Sequence, residues 1–159
     1  MAVEAGQSGT SKGTVKSELR ENAVGLPGIT EIQAGTYVVM DNFHGVMVPG
    51  FEHSLSIAAT VISRQSGKVI VDAGNKSVAA PDDVTIAGHD LAVFRFDEEH
   101  GIFDAAGGSA LRVGDPVALV PGYSPSTVNW YDAYHVVQDG VVTDIWPVIP
   151  RGPGSHGLA

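Results

Sequence analysis

Tyr134-His135-Val136-Val137-Gln138-Asp139-Gly140-Val141-Val142-Thr143-Asp144-Ile145-Trp146 is a pair of β-rich runs joined by Asp-Gly. Valine, isoleucine, threonine, tyrosine and tryptophan fit the pleated, half-buried surface of a sheet. Asp-Gly suits a type I′ turn, whose central residues both take positive φ and whose twist matches that of the strands it joins. The stretch therefore predicts a β-hairpin. Upstream, Leu55, Ile57, Ala59 and Val61 alternate with Ser54, Ser56, Ala58 and Thr60, the period of two that marks a strand with one buried face. Residues 37–40, 68–72, 84–87, 91–96, 101–104 and 116–120 are further candidate strands, the last entered through the turn Val113-Gly114-Asp115. No helical period is sustained and no internal repeat is present. Many short strands at this spacing define a mainly β chain, an antiparallel β-barrel or sandwich.

Composition narrows the function classes. The chain has 159 residues, enough for one domain with a real core, and 43% are apolar against 17% charged, a balance that folds. The 20 glycines and 9 prolines fit short strands and tight turns. Eighteen acidic residues against nine basic ones give a formal charge of -9 with no basic cluster, so nucleic acid is excluded as a natural partner. Without cysteine there is no disulfide, thiolate nucleophile or thiolate metal site. No run approaches the length of a membrane span and no leader pattern opens the chain, which reads as a soluble, cytoplasmic protein with no membrane partner.

The ends differ from the middle. Residues 1–14 are small, polar and Gly-rich, and residues 15–28 are charged and close on Leu26-Pro27-Gly28. Residues 17–22 can form one helical turn, which Pro27-Gly28 stops. From Arg151 the tail is rich in Gly and Pro and is expected to fray.

Several groups carry possible chemistry. His44, His53 and His100 lie near the carboxylates Asp41, Glu52 and Glu99, but no pair has a recognisable ligand spacing, so they read as exposed or hydrogen-bonded loop histidines. Gly6 to Thr14 has the look of a nucleotide phosphate loop, yet Lys12 follows Ser and precedes Gly, which breaks the Walker pattern. Its backbone N–H groups could still cradle another phosphate. Asp97-Glu98-Glu99-His100 could supply an acid/base pair, but reads better as a solvated turn. Tyr123, Trp130, Tyr131 and Tyr134 form an aromatic group, a binding wall or simply core and rim. Nothing marks a nucleophile elbow.

A series of segments occurs in order: residues 28–37 (Gly-Ile-Thr-Glu-Ile-Gln-Ala-Gly-Thr-Tyr), Asp41, Ala59-Thr60-Val61-Ile62-Ser63, Val71-Asp72-Ala73-Gly74-Asn75-Lys76, Glu99-His100-Gly101, Leu111-Arg112-Val113-Gly114-Asp115, Trp146-Pro147-Val148 and Arg151-Gly152. Together they resemble the C-terminal part of D-threonine aldolase and eukaryotic-type D-serine dehydratase, the metal-assisted branch of the alanine-racemase-like, fold-type III pyridoxal phosphate enzymes. Val3 to Thr10 resembles the last strand of that family's catalytic (β/α)₈ barrel and the loop that holds the cofactor phosphate. The resemblance implies three parts: residues 1–28, a remnant of the last barrel strand, the phosphate loop with Gly6, Ser8, Gly9 and Thr10, and a linker; residues 29–152, a D-serine dehydratase-like β-barrel domain; and residues 153–159, a flexible tail. The preceding barrel units and their Schiff-base lysine are then missing, and Val3 to Ala5 lack barrel strands to pair with.

The family pattern Pro-x-His-x-Cys-Pro-Thr-Val, or the same with Asp for Cys, supplies the ligands of a divalent metal. Aligned without a gap, its His falls on Tyr123 and its Cys on Pro125, while Pro121, Thr127 and Val128 remain. Proline has no ligand atom and a neutral tyrosine is a poor ligand, so no metal is expected. Tyr123 is the catalytic candidate, by likeness to non-metal relatives that use a C-terminal-domain tyrosine as an acid/base; the bland reading has it filling vacated space. The implied function is that of the C-terminal β domain of a pyridoxal phosphate-dependent D-amino acid lyase, inactive as the isolated chain and binding no cofactor alone. The expected partner is a catalytic barrel or a second subunit, with homo-oligomers the rule. The alternative is a non-enzymatic binding or oligomerisation module that reuses the domain.

Overall fold

The computed structural model describes residues 2–4 and 35–149. Within them the strands are β1 (Ala2–Glu4), β2 (Leu55–Gln65), β3 (Lys68–Val71), β4 (Thr85–Ile86), β5 (Val93–Phe96), β6 (Gly101–Asp104), β7 (Pro116–Val120), β8 (Ala133–Gln138) and β9 (Val141–Pro147). Two short helices, α1 (Asn42–Met47) and α2 (Ser124–Val128), stand before β2 and after β7. The hydrogen-bonded order is β5-β6-β3-β2-β1-β8-β9, with β7 joining β2 to β4. This is the expected mainly β architecture, a curled antiparallel half-barrel.

β2 is the spine. Leu55 and Ser56 pair with β1, residues 57–60 with β7, and Val61 onward with β3, the register shifting between Val61 and Ser63. The alternation read in the sequence is present: Leu55, Ile57, Ala59 and Val61 are buried, while their neighbours are less so. Ile57, Ala59 and Val61 pack with Val69, Val71, Phe103 and Leu119 in one apolar core. Burying a side chain of this size is worth about 1.5–3 kcal/mol. β2 turns into β3 through Ser66 and Gly67, both at positive φ (51° and 71°), a two-residue turn of the same family as Asp139-Gly140.

The predicted hairpin forms between β8 and β9, with Gln138 opposite Val141 and φ of 50° and 76° at Asp139 and Gly140. Two expectations are corrected. Residues 37–40 do not form a strand: Thr36–Val38 is a 3-10 turn and Met40 sits at φ 50°. The run Tyr37 to Met40 lacks alternation, Tyr37 and Val38 are exposed, and only Met40 is buried. Inside the sheet, Ala2–Glu4 does find partners, antiparallel to β2 and parallel to β8. The open backbone edges of those two strands supply hydrogen bonds to a segment expected to lack strands to pair with. The predicted turn at 17–22, the loop at 6–14 and the tail from Arg151 lie outside the described residues. Among the described residues, no helix is long and apolar enough to cross a membrane.

Candidate functional site

The site forms where β7 runs out. Pro121, Gly122 and Tyr123 carry the chain from β7 into α2, and the first turn of α1 docks on them: Asn42 N–H donates to Pro121 O (3.1 Å) and Phe43 N–H to Gly122 O (3.1 Å). The Asn42 amide also donates to Asp83 O (2.6 Å) and Thr85 Oγ1 (3.1 Å). Gly122 is obligatory by space, since a Cβ there would lie 2.1 Å from Ala80 O. Thr127 is fully buried; its hydroxyl donates to Tyr123 O (2.9 Å) and accepts from Ala79 N–H (3.0 Å). Pro121, Thr127 and their neighbours thus form a rigid cradle for Tyr123.

Asp41 is the hub. The left-handed turn at Met40 sends the chain into an extended Asp41 (φ -154°), the N-cap of α1. Its carboxylate is 0% exposed. Oδ1 accepts from His44 N–H (2.8 Å) and His44 Nδ1 (2.8 Å), and Oδ2 accepts from Ser124 N–H (2.7 Å) and Ser124 Oγ (2.9 Å). One carboxylate therefore caps its own helix and the first turn of α2, where Pro125 occupies a position that tolerates a missing N–H. Burial pushes the Asp41 pKa up, but the hydrogen bonds from the backbone of His44 and Ser124, and then from their side chains, outweigh it and hold the carboxyl below its ordinary value.

Above the carboxylate lies an aromatic cluster. The His44 ring stacks on Tyr123 (centroids 5.7 Å, 27°), and Phe43 meets His44 edge-on (5.1 Å, 87°) and Tyr123 at 6.3 Å and 77°. The arrangement can offer a phenol and an imidazole side by side, with a buried carboxylate behind the imidazole.

The other sequence candidates are dispersed. His53 and Glu52 line a cleft of about 470 Å³ with His89 and Thr85. His100 sits in the β5–β6 turn, where Lys76 pairs with Glu99 and Arg95 with Asp97 (2.9 Å). Tyr131 belongs to the core margin, its hydroxyl donating to Ser77 O (2.8 Å). Trp130 is exposed and Tyr134 half-buried. Gly6, Ser8, Gly9 and Thr10 lie outside the described residues. Sequence reasoning missed Ser124 and Phe43, and saw Asp41 as a carboxylate near His44 and as one point of the family resemblance, not as a cap; the signal for it was an Asp three residues before a His at a helix start.

A divalent metal does not fit. Among the described residues no three His, Cys, Asp or Glu side chains are grouped to hold one. Pro125 carries no donor, and the Asp41 oxygens are saturated by hydrogen bonds. Among the described residues, the hydrogen bonds and ring contacts of the cluster involve no lysine or arginine.

These features define a curled β domain that carries a buried carboxylate beside stacked His44 and Tyr123 rings. The profile of the putative serine dehydratase domain matches residues 54–137. The chain belongs to that family. It is 39% identical to D-threonine aldolase of an Arthrobacter species, over 77% of this chain and 35% of that protein. It is 31% identical to 3-hydroxy-D-aspartate aldolase of Paracoccus denitrificans, over 78% of this chain and 35% of that protein. Among solved structures, D-threonine aldolase from Filomicrobium marinum superposes with a TM-score of 0.66 at 32% identity, covering 72% of this chain and 34% of that one. The chain thus spans about a third of the length of these relatives.

Proposed function

We propose that this chain is the C-terminal β domain of a pyridoxal phosphate-dependent lyase acting on D-3-hydroxyamino acids, and that it works only against a catalytic barrel or a second subunit. The observation that carries this reading is the coverage: 77% of the chain aligns with a D-threonine aldolase of which it accounts for 35%. Residues 29–152 form the domain in this reading, residues 1–28 a remnant of the barrel's last strand with the phosphate loop at Gly6, Ser8, Gly9 and Thr10, and residues 153–159 a tail. Pyridoxal phosphate supplies the electron sink for carbanion chemistry when bound. This domain's part is to close the site and present Tyr123 as an acid/base group. Phe43, Val46 and Met47 are exposed on α1 beside Tyr123, an apolar face of the kind that meets another domain.

The same face supports a second reading, a non-enzymatic module that recruits a partner or a second copy. The two separate in one experiment. The chain is assayed for D-threonine cleavage and for a visible cofactor band that survives desalting, alone and mixed with the catalytic portion of the Arthrobacter aldolase. Neither signal is expected from the chain alone, and either one would overturn the dependence on a second domain. Cleavage in the mixture supports the lyase reading; stable self-association without cleavage favours the module.

A further inference from the structure

We propose that His44, oriented by Asp41, is the proton acceptor this domain presents to a ligand hydroxyl. The choice of a hydroxyl on a D-3-hydroxyamino acid rests on the lyase reading; the orientation of the imidazole does not. An ionised carboxylate only accepts hydrogen bonds, so the Nδ1 facing Asp41 Oδ1 at 2.8 Å must carry the hydrogen. In the neutral ring the lone pair then belongs to Nε2. That atom has no hydrogen-bond partner among the described residues, and the His44 side chain is 25% exposed. Asp41 cannot swing away, because its second oxygen is tied to Ser124 by two bonds of 2.7 and 2.9 Å.

Capping does not require any of this. The His44 backbone N–H alone satisfies the α1 cap at 2.8 Å, and the ring's bond to the same oxygen is additional. A metal role for Nε2 lacks companions, since no group of three ligating side chains exists among the described residues. Meanwhile the ring stacks on Tyr123, centroids 5.7 Å apart. In the step itself the ligand's O–H bond breaks, an N–H bond forms at Nε2, and the oxygen keeps the electron pair. The resulting imidazolium remains bonded to the Asp41 carboxylate, which stays ionised.

The test uses the full chain, labelled with ¹⁵N, at mildly alkaline pH. Two-bond ¹H–¹⁵N spectra report the tautomer of each histidine, and His44→Asn identifies the His44 signals while its amide can keep the bond to Asp41. The expected result is a single Nδ1–H tautomer for His44 and acylation by diethyl pyrocarbonate at Nε2, several-fold faster than in Asp41→Asn. An Nε2–H tautomer, an averaged pair of tautomers, or a ring closed to acylation overturns the proposal, as does a shift of the His44 signals at equimolar zinc. Because the wild-type tautomer needs no variant, misfolding of Asp41→Asn leaves the test standing. These readouts are independent of cleavage in the mixed system, so the lyase reading can fail separately. Where that system cleaves D-threonine, His44→Asn should lower kcat about a hundredfold or more with KM within a few-fold; unchanged kcat also overturns the proposal.

Discussion

Gly122→Ala should destabilise the domain by about 2–5 kcal/mol, although it adds one methyl group. The added Cβ would sit 2.1 Å from Ala80 O and 2.9 Å from the Cβ atoms of Ala80 and Asp83. A relaxed carbon–oxygen contact is about 3.3 Å, so the Ala80 carbonyl must retreat by roughly an ångström. It cannot retreat freely: Ala80 already sits at φ 53°, and its carbonyl accepts from Asp83 N–H at 3.1 Å. The flanking chain is tied as well, by Ala79 N–H to Thr127 (3.0 Å) and by Asn42 to Asp83 O (2.6 Å). Overpacking of this kind costs about 1–3 kcal/mol, and each hydrogen bond loosened adds about 0.5–1.5 kcal/mol. Urea unfolding followed by tryptophan fluorescence and by far-UV circular dichroism measures the change. A midpoint shift equivalent to less than about 0.5 kcal/mol, with unchanged slope, would refute the claim that this loop is locked.

Asp41→Asn should cost about 1–3 kcal/mol at pH 7, because a carboxamide nitrogen would face donors in a buried site. Since the folded pKa of Asp41 is depressed, its contribution is present above the unfolded value of 3.8 and is lost as pH falls through the folded pKa. The gap between wild type and Asp41→Asn in pH-dependent melting should therefore close below that value. Phe103→Ala, at a position with 0% exposure in the core, should cost about 3–5 kcal/mol by the same urea assay. Gly140→Val should cost about 1–2 kcal/mol, since φ is 76° in the β8–β9 turn, whereas Gly35→Ala, with open space and no positive φ, should stay within about 0.5 kcal/mol.

The parts of the fold legible in the sequence were those written locally. Asp139-Gly140 and the alternation from Leu55 to Val61 each specify a turn or a face within a few residues, and both appear as read. The misread run from Tyr37 to Met40 has β-prone residues but no alternation, and a single left-handed Met40 turns it into a bend. The site was half legible. Tyr123 could be singled out from the chain, but the bond that organises the site joins Asp41 to Ser124, 83 positions away. A carboxylate shared between two helix starts leaves no periodic trace, because each helix carries only half of the pattern.

β1 lies between β2 and β8, and its parallel ladder sets Ala2, Val3 and Glu4 against His135, Val136 and Val137. Nearly the whole chain separates the two sides of that ladder, so it cannot form until β8 has emerged from the ribosome. Until then β1 has only one of its two partners, β2 at Leu55 and Ser56, and its other edge stands open along that seam. Pairings this distant in sequence are the slow step of folding. The nascent domain therefore spends most of its synthesis with an exposed edge, and the last hairpin to be made is the one that shuts it.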